Sequence, residues 1–371
     1  MTEPHAASDT SRDESAYVAS QWQLVWRKFR RHRLALVGGT FLAMLYVLAL
    51  FGDFVAPYPI AERHADQANH PLQRVRFFDQ GTLHLRPFVY ATTPGLDTET
   101  FLRAYPIEKE RRYPLRFFVR GWSYKILGLI PSDRHLFGVQ EGHVYLFGTD
   151  SLGRDLLSRA VHAARISLTI GLAGVGISLL LGIVLGGISG YYGGRIDLFI
   201  QRLIEILLSI PTIPLWMGLS AALPANWPPA RVYFGVVLIV SVIGWTGIAR
   251  VVRGRFLQLR EEDFVMAAKV TGCSDSRIIF AHLVPAFASY IIVRATLAVP
   301  AMILGETALS FLGLGLREPV VSWGTLLRDA QHVRTIFLYP WLLIPALFVI
   351  VTVLAFNFVG DGLRDAADPY K

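Results

Sequence analysis

Asp263-Phe-Val-Met-Ala-Ala-Lys-Val-Thr-Gly-Cys-Ser-Asp-Ser-Arg-Ile-Ile-Phe-Ala-His-Leu-Val-Pro285 is a soluble-looking helical stretch between two runs long and apolar enough to cross a bilayer. The small residues Ala267 and Ala268, the breaker Gly272 and a stop at Pro285 predict two short helices joined by a turn. A membrane protein that holds such a hairpin on its cytoplasmic face offers it to a soluble partner. That points to work driven by another protein's chemistry.

Outward from this hairpin the chain is apolar. Of 371 residues, 53% are hydrophobic, above the roughly 45–50% of soluble domains, and the mean hydropathy is +0.42. The formal charge of +8 would suggest nucleic acid in a soluble protein. Here the basic residues flank apolar runs, which suits membrane orientation instead, and no nucleic-acid partner is expected. The single cysteine, Cys273, excludes an internal disulfide and a cysteine-cluster metal site. It reads as a small turn residue rather than a nucleophile. The polar, acidic start of the chain does not fit a cleavable signal peptide.

A hydrocarbon core about 30 Å thick needs roughly 20 apolar helical residues. Six runs meet or approach that length: 34–56, 166–188, 203–223, 232–249, 287–312 and 337–359. The third contains Pro211 and Pro214 and is expected to be kinked or broken, as neighbouring helices permit. Gly182, Gly186, Gly187 and Gly190 give small-xxx-small spacing, a helix-packing surface. Arg27, Lys28, Arg30, Arg31 and Arg33 before the first span put the N-terminus in the cytoplasm, and an even number of spans returns the C-terminus there. Arg195 and Arg202, then Arg250, Arg253, Arg255, Arg260, Lys269 and Arg277, fall on the inner side under that topology. The outer connections at 221–231 and 313–336 are less basic, though they carry Arg317, Arg328 and Arg334.

The expected organisation is therefore an N-terminal cytoplasmic tail at 1–33, a first span at 34–56 and an extracytoplasmic segment at 57–164. A five-helix core follows at 165–360, and a cytoplasmic tail at 361–371. Prolines, aromatics and short alternating runs such as Leu83-His-Leu-Arg-Pro87 suggest small strands in an otherwise irregular insert between the first two spans. Residues 122–130 read as an interfacial amphipathic piece. His64, His70, His84 and His135 lack metal-ligand spacing, so no metal is expected. No Gly-x-x-x-x-Gly-Lys-Ser/Thr loop, His-Glu-x-x-His pair or Gly-x-Ser-x-Gly elbow occurs. The chain is read as non-catalytic, with no cofactor of its own.

With the apolar frame and the missing catalytic motifs in place, four stretches carry a resemblance. The hairpin resembles the coupling motif of ATP-binding-cassette (ABC) importer permeases: Ala267, Ala268 and Gly272 match, His282-Leu-Val-Pro285 resembles its ending, and Met266 replaces its leading acid. Phe147-Gly-Thr-Asp-Ser-Leu-Gly-Arg-Asp-Leu156, Gly305-Glu-Thr-Ala-Leu-Ser-Phe-Leu-Gly-Leu-Gly315 and Gly360-Asp-Gly-Leu-Arg-Asp-Ala-Ala-Asp-Pro369 are similar to segments of the dipeptide/oligopeptide permease C-subunit family. The resemblance spans about 22–60 and 147–370 and does not explain the insert. It implies an all-α membrane protein with the six transmembrane helices of the type I importer permease and coupling helices at about 261–285. It further implies a homologous second permease, two cytoplasmic ATPases that bind ATP and magnesium, and an extracytoplasmic solute-binding protein, all in a bacterial inner membrane.

The resemblance implies that Met266, Ala267, Ala268, Gly272, Ser274 and Pro285 serve ATPase coupling. Alanines allow close approach, Gly272 supplies a left-handed cap and Ser274 an N-cap. Met266 suggests a groove that relies on packing rather than an ion pair. Glu306, an intramembrane acid, reads either as a pathway residue or as a hydrogen-bonding group at the membrane edge. Arg294 reads as cavity-facing in preference to snorkelling. Asp150, Arg154 and Asp155 form either an outer gate or, the preferred reading, a capped and ion-paired turn. Trp323 is an interfacial anchor or a cargo contact. Peptides are the implied cargo; a nickel chelate, an oligosaccharide or a peptide-like antibiotic stays open. So do an ion-coupled secondary transporter and a membrane scaffold, which co-purification of an ATPase would separate from the importer.

Overall fold

The computed structural model describes residues 21–79, 81–99, 101–224 and 226–367; the outer parts of both expected tails lie outside these residues. A short helix α1 (Gln21–Phe29) leads into α2 (Arg33–Leu50), whose N-cap His32 accepts the Ala35 amide at Nδ1, 3.1 Å away. Alternating spacings of three and four put Ala35, Gly38, Leu42, Leu45 and Ala49 on one buried stripe, as a helix docked along one face requires. That stripe packs on the last helix. A Cβ at Gly38 would stand 2.8 Å from Ala355 O, and one at Gly362 would stand 2.3 Å from the Ala35 Cβ. A four-residue helix, Gly52–Val55, extends α2.

The longest helix, α3 (Leu156–Tyr192), has 37 residues and reaches about 55 Å, well beyond a bilayer's hydrocarbon. Its first turns therefore belong to the segment expected to precede the span: Val161, Ala163 and Ala164 are buried core. After the turn at Gly193, α4 (Gly194–Ser209) and α5 (Thr212–Ala221) meet at 89°. The broken third span has a local cause. Ile210 precedes Pro211 and is extended, with ψ 129°, the region that a following proline enforces. Pro214 falls in the first turn of α5, where its missing N–H costs nothing. Next come α6 (Pro229–Leu259), α7 (Asp263–Val270), α8 (Ala288–Phe311), α9 (Trp323–Leu327) and α10 (Ile344–Ala367). Five helices among the described residues are long and apolar enough to span, with α10 counted from its lead-in at Pro340, and the bent pair raises the number to six.

The seam between α3 and α6 is cut from glycine. Built Cβ atoms at Gly182, Gly186 and Gly190 would lie 2.6 Å from the Ile248 side chain, 2.4 Å from Ala249 O and 2.7 Å from Arg253 O. The small-xxx-small stripe thus brings two backbones together. Leu168, Ile170, Val236, Val240, Met302 and Ile303 fill the centre of the bundle.

The segment expected to be irregular is a β-rich insert, which corrects the all-α reading for this part. Strands β1 (Arg76–Asp79), β2 (Thr82–Thr92) and β5 (Ile107–Pro114) form an antiparallel sheet with β2 central. A small ribbon pairs β3 (Gly95–Leu96) with β4 (Arg103–Ala104). A long hairpin joins β6 (Arg116–Ile126) to β7 (Ile130–Gly138), pairing Phe117↔Phe137 near its base and Ile126↔Ile130 at its tip, with a register shift between Arg120 and Tyr124. The stretch 122–130, expected to be an interfacial amphipathic piece, is strand and turn. Val89, Leu115 and Val144, with Phe137 and Leu146 against them, make the insert's own small core.

Candidate functional site

The coupling segment lies at the end of α3 away from the insert. Helix α7 ends in a Schellman cap: Cys273 N donates to Ala268 O and Gly272 N to Lys269 O, each at 3.0 Å, with Gly272 at φ +79°. That left-handed residue is inexpensive only as glycine. Open space surrounds its missing Cβ, so conformation rather than crowding selects it. Val265 and Ala268 turn inward onto Val252, Phe256, Ile278 and Leu283. Phe264, Met266 and Val270 are 43%, 50% and 86% exposed, and Ala267 is exposed beside them. One face of α7 is anchored and the other is an unusually apolar free surface.

Beyond the turn, Ser274 occupies the N-cap position, yet its side chain makes no capping bond. Pro285 does not stop the helix. The chain runs from Asp275–Arg277 through a wide π-turn at Ile278–Leu283 into Val284–Ala286 and bends at Phe287. A widened turn loosens the i→i−4 ladder, and Pro285 opens the next helical turn, where it needs no donor. Sequence reasoning missed what fastens this segment. Tyr191 and Tyr192 donate their hydroxyls to Asp275 at 2.7 and 3.1 Å, and Lys269 Nζ sits 5.4 Å from the Tyr191 ring centroid. The adjacent tyrosines at the end of an apolar run were the available signal.

At the other end of α3 the loop 147–156 folds on itself. Asp150 is 1% exposed. Its Oδ1 accepts the Leu152 and Arg154 amides at 2.9 and 3.0 Å, and its Oδ2 accepts Arg154 Nε at 2.6 Å. Arg159 joins the cluster, with Nε 3.7 Å from Asp150 Oδ2, and both guanidiniums reach Glu318 Oε1, at 2.5 Å from Arg154 and 3.1 Å from Arg159. Burial pushes the Glu318 carboxyl up, but the two arginines outweigh it and hold the group below its ordinary value. Asp155 caps α3 through Oδ2, which accepts Ser158 N at 2.8 Å and Ser158 Oγ at 2.6 Å. Its Oδ1 is buried without a partner, and burial pushes the carboxyl up to about 6. Arg159 and Glu318 were invisible beforehand because their partners lie far away in sequence.

Glu306 is fully buried. Ser310 and Ser322 donate to its Oε1 at 2.6 Å each, and Ser167 reaches Oε2 at 3.5 Å. Each of these hydroxyls in turn accepts a backbone amide: Leu316 on Ser310, Thr325 on Ser322 and Trp323 on Ser167. Glu306 thus orients three serines that pin α8, α9 and α3 together. Trp323 corrects the expectation of an exposed anchor or cargo contact. It is wholly buried, donates Nε1 to Ala160 O at 3.2 Å and stacks on Phe348 at 6.0 Å. Arg294 is exposed on α8, twelve residues and roughly 18 Å from Glu306, so the two are not brought together. Among the described residues no group of histidines, cysteines and acids could hold a metal ion.

Five long apolar helices among the described residues, six if the bent pair is one span, define a membrane-spanning helical protein. Comparison with known proteins narrows the class. Residues 182–370 match the family described as "Binding-protein-dependent transport system inner membrane component", and 20–72 match the N-terminal TM domain of oligopeptide transport permease C. The chain belongs to the first of these families, and it is a multi-pass inner-membrane protein. It is similar to the oligopeptide transport system permease protein OppC of Bacillus subtilis, 42% identical over 67% of this chain and 77% of that one. The dipeptide transport system permease proteins DppC of B. subtilis and Lactococcus lactis are 32% and 33% identical over 94% and 98% of this chain, and 86% and 94% of their own. A solved structure of the MetNI methionine ABC transporter, inward facing, aligns with a TM-score of 0.43 at 16% identity, covering 56% of this chain and 95% of that chain.

Proposed function

We propose that this chain is one of two homologous permease subunits of a bacterial peptide importer, with six spans when α4 and α5 count as one. Both termini and the α7 hairpin face the cytoplasm, and the insert faces outward. Two separate ATPases bind ATP and magnesium, and an extracytoplasmic binding protein delivers the peptide; this chain carries out no catalysis. The observation that carries the reading is α7 itself, apolar on both faces with only one face buried. An ATPase groove seated over Phe264, Met266 and Ala267 removes that surface from water, and closure of the motor then drags α7 with it. Met266 in place of an acid makes the contact one of packing. Asp275 and the tyrosine pair pass the displacement to α3, whose far end carries the Asp150–Arg154–Arg159–Glu318 cluster.

The test is an Ala267→Arg variant of the full importer. Ala267 is exposed, so the permease should fold and purify in normal yield, while co-purification of the ATPase and ATP-driven peptide uptake should both fall at least tenfold. Undiminished attachment and uptake would refute the proposal.

A further inference from the structure

The β6–β7 hairpin carries apolar side chains where a hairpin in water carries polar ones. Three residues, Leu127-Gly128-Leu129, connect its strands, and the turn closed by Leu129 N on Ile126 O at 3.0 Å holds its central pair, Leu127 and Gly128, at φ of 52° and 74°. Both positions of such a turn favour Asn, Asp or Gly, and leucine there is held in a left-handed conformation at a steric cost. Among the described residues nothing compensates by burial: Leu127, Leu129 and Ile130 are 53%, 80% and 63% exposed. Strained and unburied together, these residues fit a tip that does not stand in water.

The hairpin's seat shows what surrounds the tip. Its middle rests on Gly52–Val55, the extension of span α2. His135 Nδ1 lies 3.0 Å from Asp53 O, and the Phe118 and Phe54 rings are 6.1 Å apart. The exposed apolar face of α2, ending in Val47, Leu50 and Phe51, thus continues onto the hairpin at the level where the chain leaves the hydrocarbon. From Gly121, which touches His135, to Gly128 the strand can reach about 23 Å. Arg120, Lys125 and Arg134 flank the apolar tip, against the single acid Asp133. An apolar tip with a cationic collar matches a lipid surface with acyl chains below and anionic phosphates above.

The geometry points to a lipid anchor: residues 126–130 enter the bilayer leaflet on the side away from the coupling segment, with Arg120, Lys125 and Arg134 at the phosphates. The insert is then held down over lipid beside α2.

The test attaches a nitroxide at Leu129→Cys in a Cys273→Ser background. The complete importer is placed in vesicles of phosphatidylethanolamine and phosphatidylglycerol at 3:1, and collision with oxygen is compared with that of a water-soluble nickel chelate. A lipid-buried tip gives an oxygen-to-nickel ratio several-fold above that of a label at the exposed Glu110→Cys. Equal ratios overturn the anchor, and so does immobilisation of the 129 label by added binding protein, which would make the tip a protein-docking element. A second variant, Leu127→Asn, relieves the turn. It should raise the unfolding temperature in detergent but not in those vesicles, and an equal rise in both overturns the proposal.

Discussion

At the scale of single residues, the informative groups are buried acids. Glu306 has the position of a pathway acid, but its environment is that of a keystone, since three serine protons point at it so that three backbone amides can be accepted. Glu306→Ala orphans those hydroxyls and should cost about 2–4 kcal/mol, read as a lowered unfolding temperature of the purified permease. Glu306→Gln keeps the volume but sets an amide donor against hydroxyl donors, so a milder loss is expected. In either variant, uptake per folded molecule should stay near normal; a selective loss of uptake at full stability would restore the pathway reading. Asp155 supplies a pH test. Its carboxyl is raised from 3.8 to about 6, so the folded chain holds that proton more tightly than the unfolded one. The stability it contributes is fully present below about pH 4 and is lost as pH rises through about 6, up to about 2–3 kcal/mol in all. Asp155→Asn keeps the cap and should flatten that part of the profile, measured as the difference between the two proteins' unfolding free energies from pH 4 to 7.

At the scale of elements, the glycine seam makes a paired prediction. Gly186→Ala puts a methyl 2.4 Å from Ala249 O, and such overpacking costs about 1–3 kcal/mol. Gly176, on the same helix, has open space around its missing Cβ, so Gly176→Ala should be neutral or stabilising by up to about 1 kcal/mol. Thermal unfolding in one detergent decides both, and equal effects would show that the seam is looser than drawn. This seam was legible in the sequence because four-residue spacing of small residues has one simple use in a helix. The break at Pro211 and the cap at Gly272 were legible too, since each rests on a local backbone rule. The continuation through Pro285 was not. A π-turn absorbs the missing donor, and no pattern of residue types announces one. The fold of the insert was only half legible: strand-like alternation shows in Leu83–Pro87, but pairing and register depend on contacts across tens of residues, and the all-α expectation failed there for that reason.

At the scale of the whole molecule, α3 is the organising member. One end is capped by Asp155 beside the Asp150–Arg154–Arg159–Glu318 cluster, and the other is tied to the coupling segment through Asp275. The two sites that sequence motifs flagged separately are therefore the two ends of one rod about 55 Å long. Local motifs marked the ends, but only tertiary contact supplies Arg159, Glu318, Tyr191 and Tyr192, which connect them. Two exposed hydroxyl–carboxylate bonds of about 0.5–1 kcal/mol each hold the lower joint, so losing both shifts its closed population by roughly 5- to 30-fold. The ATPase seat proposed on α7, over Phe264, Met266 and Ala267, does not include either tyrosine. The Tyr191→Phe, Tyr192→Phe double variant should therefore keep ATPase attachment and peptide-stimulated hydrolysis while peptide imported per ATP falls several-fold. Either single variant, with one bond left, should fall between. Uptake and hydrolysis that decline in parallel would place the transmission elsewhere, most directly in the packing of Val265 and Ile278 against Phe256 of α6. Retained stoichiometry in the double variant would show that the rod is pushed by contact rather than held by its hydroxyl latch.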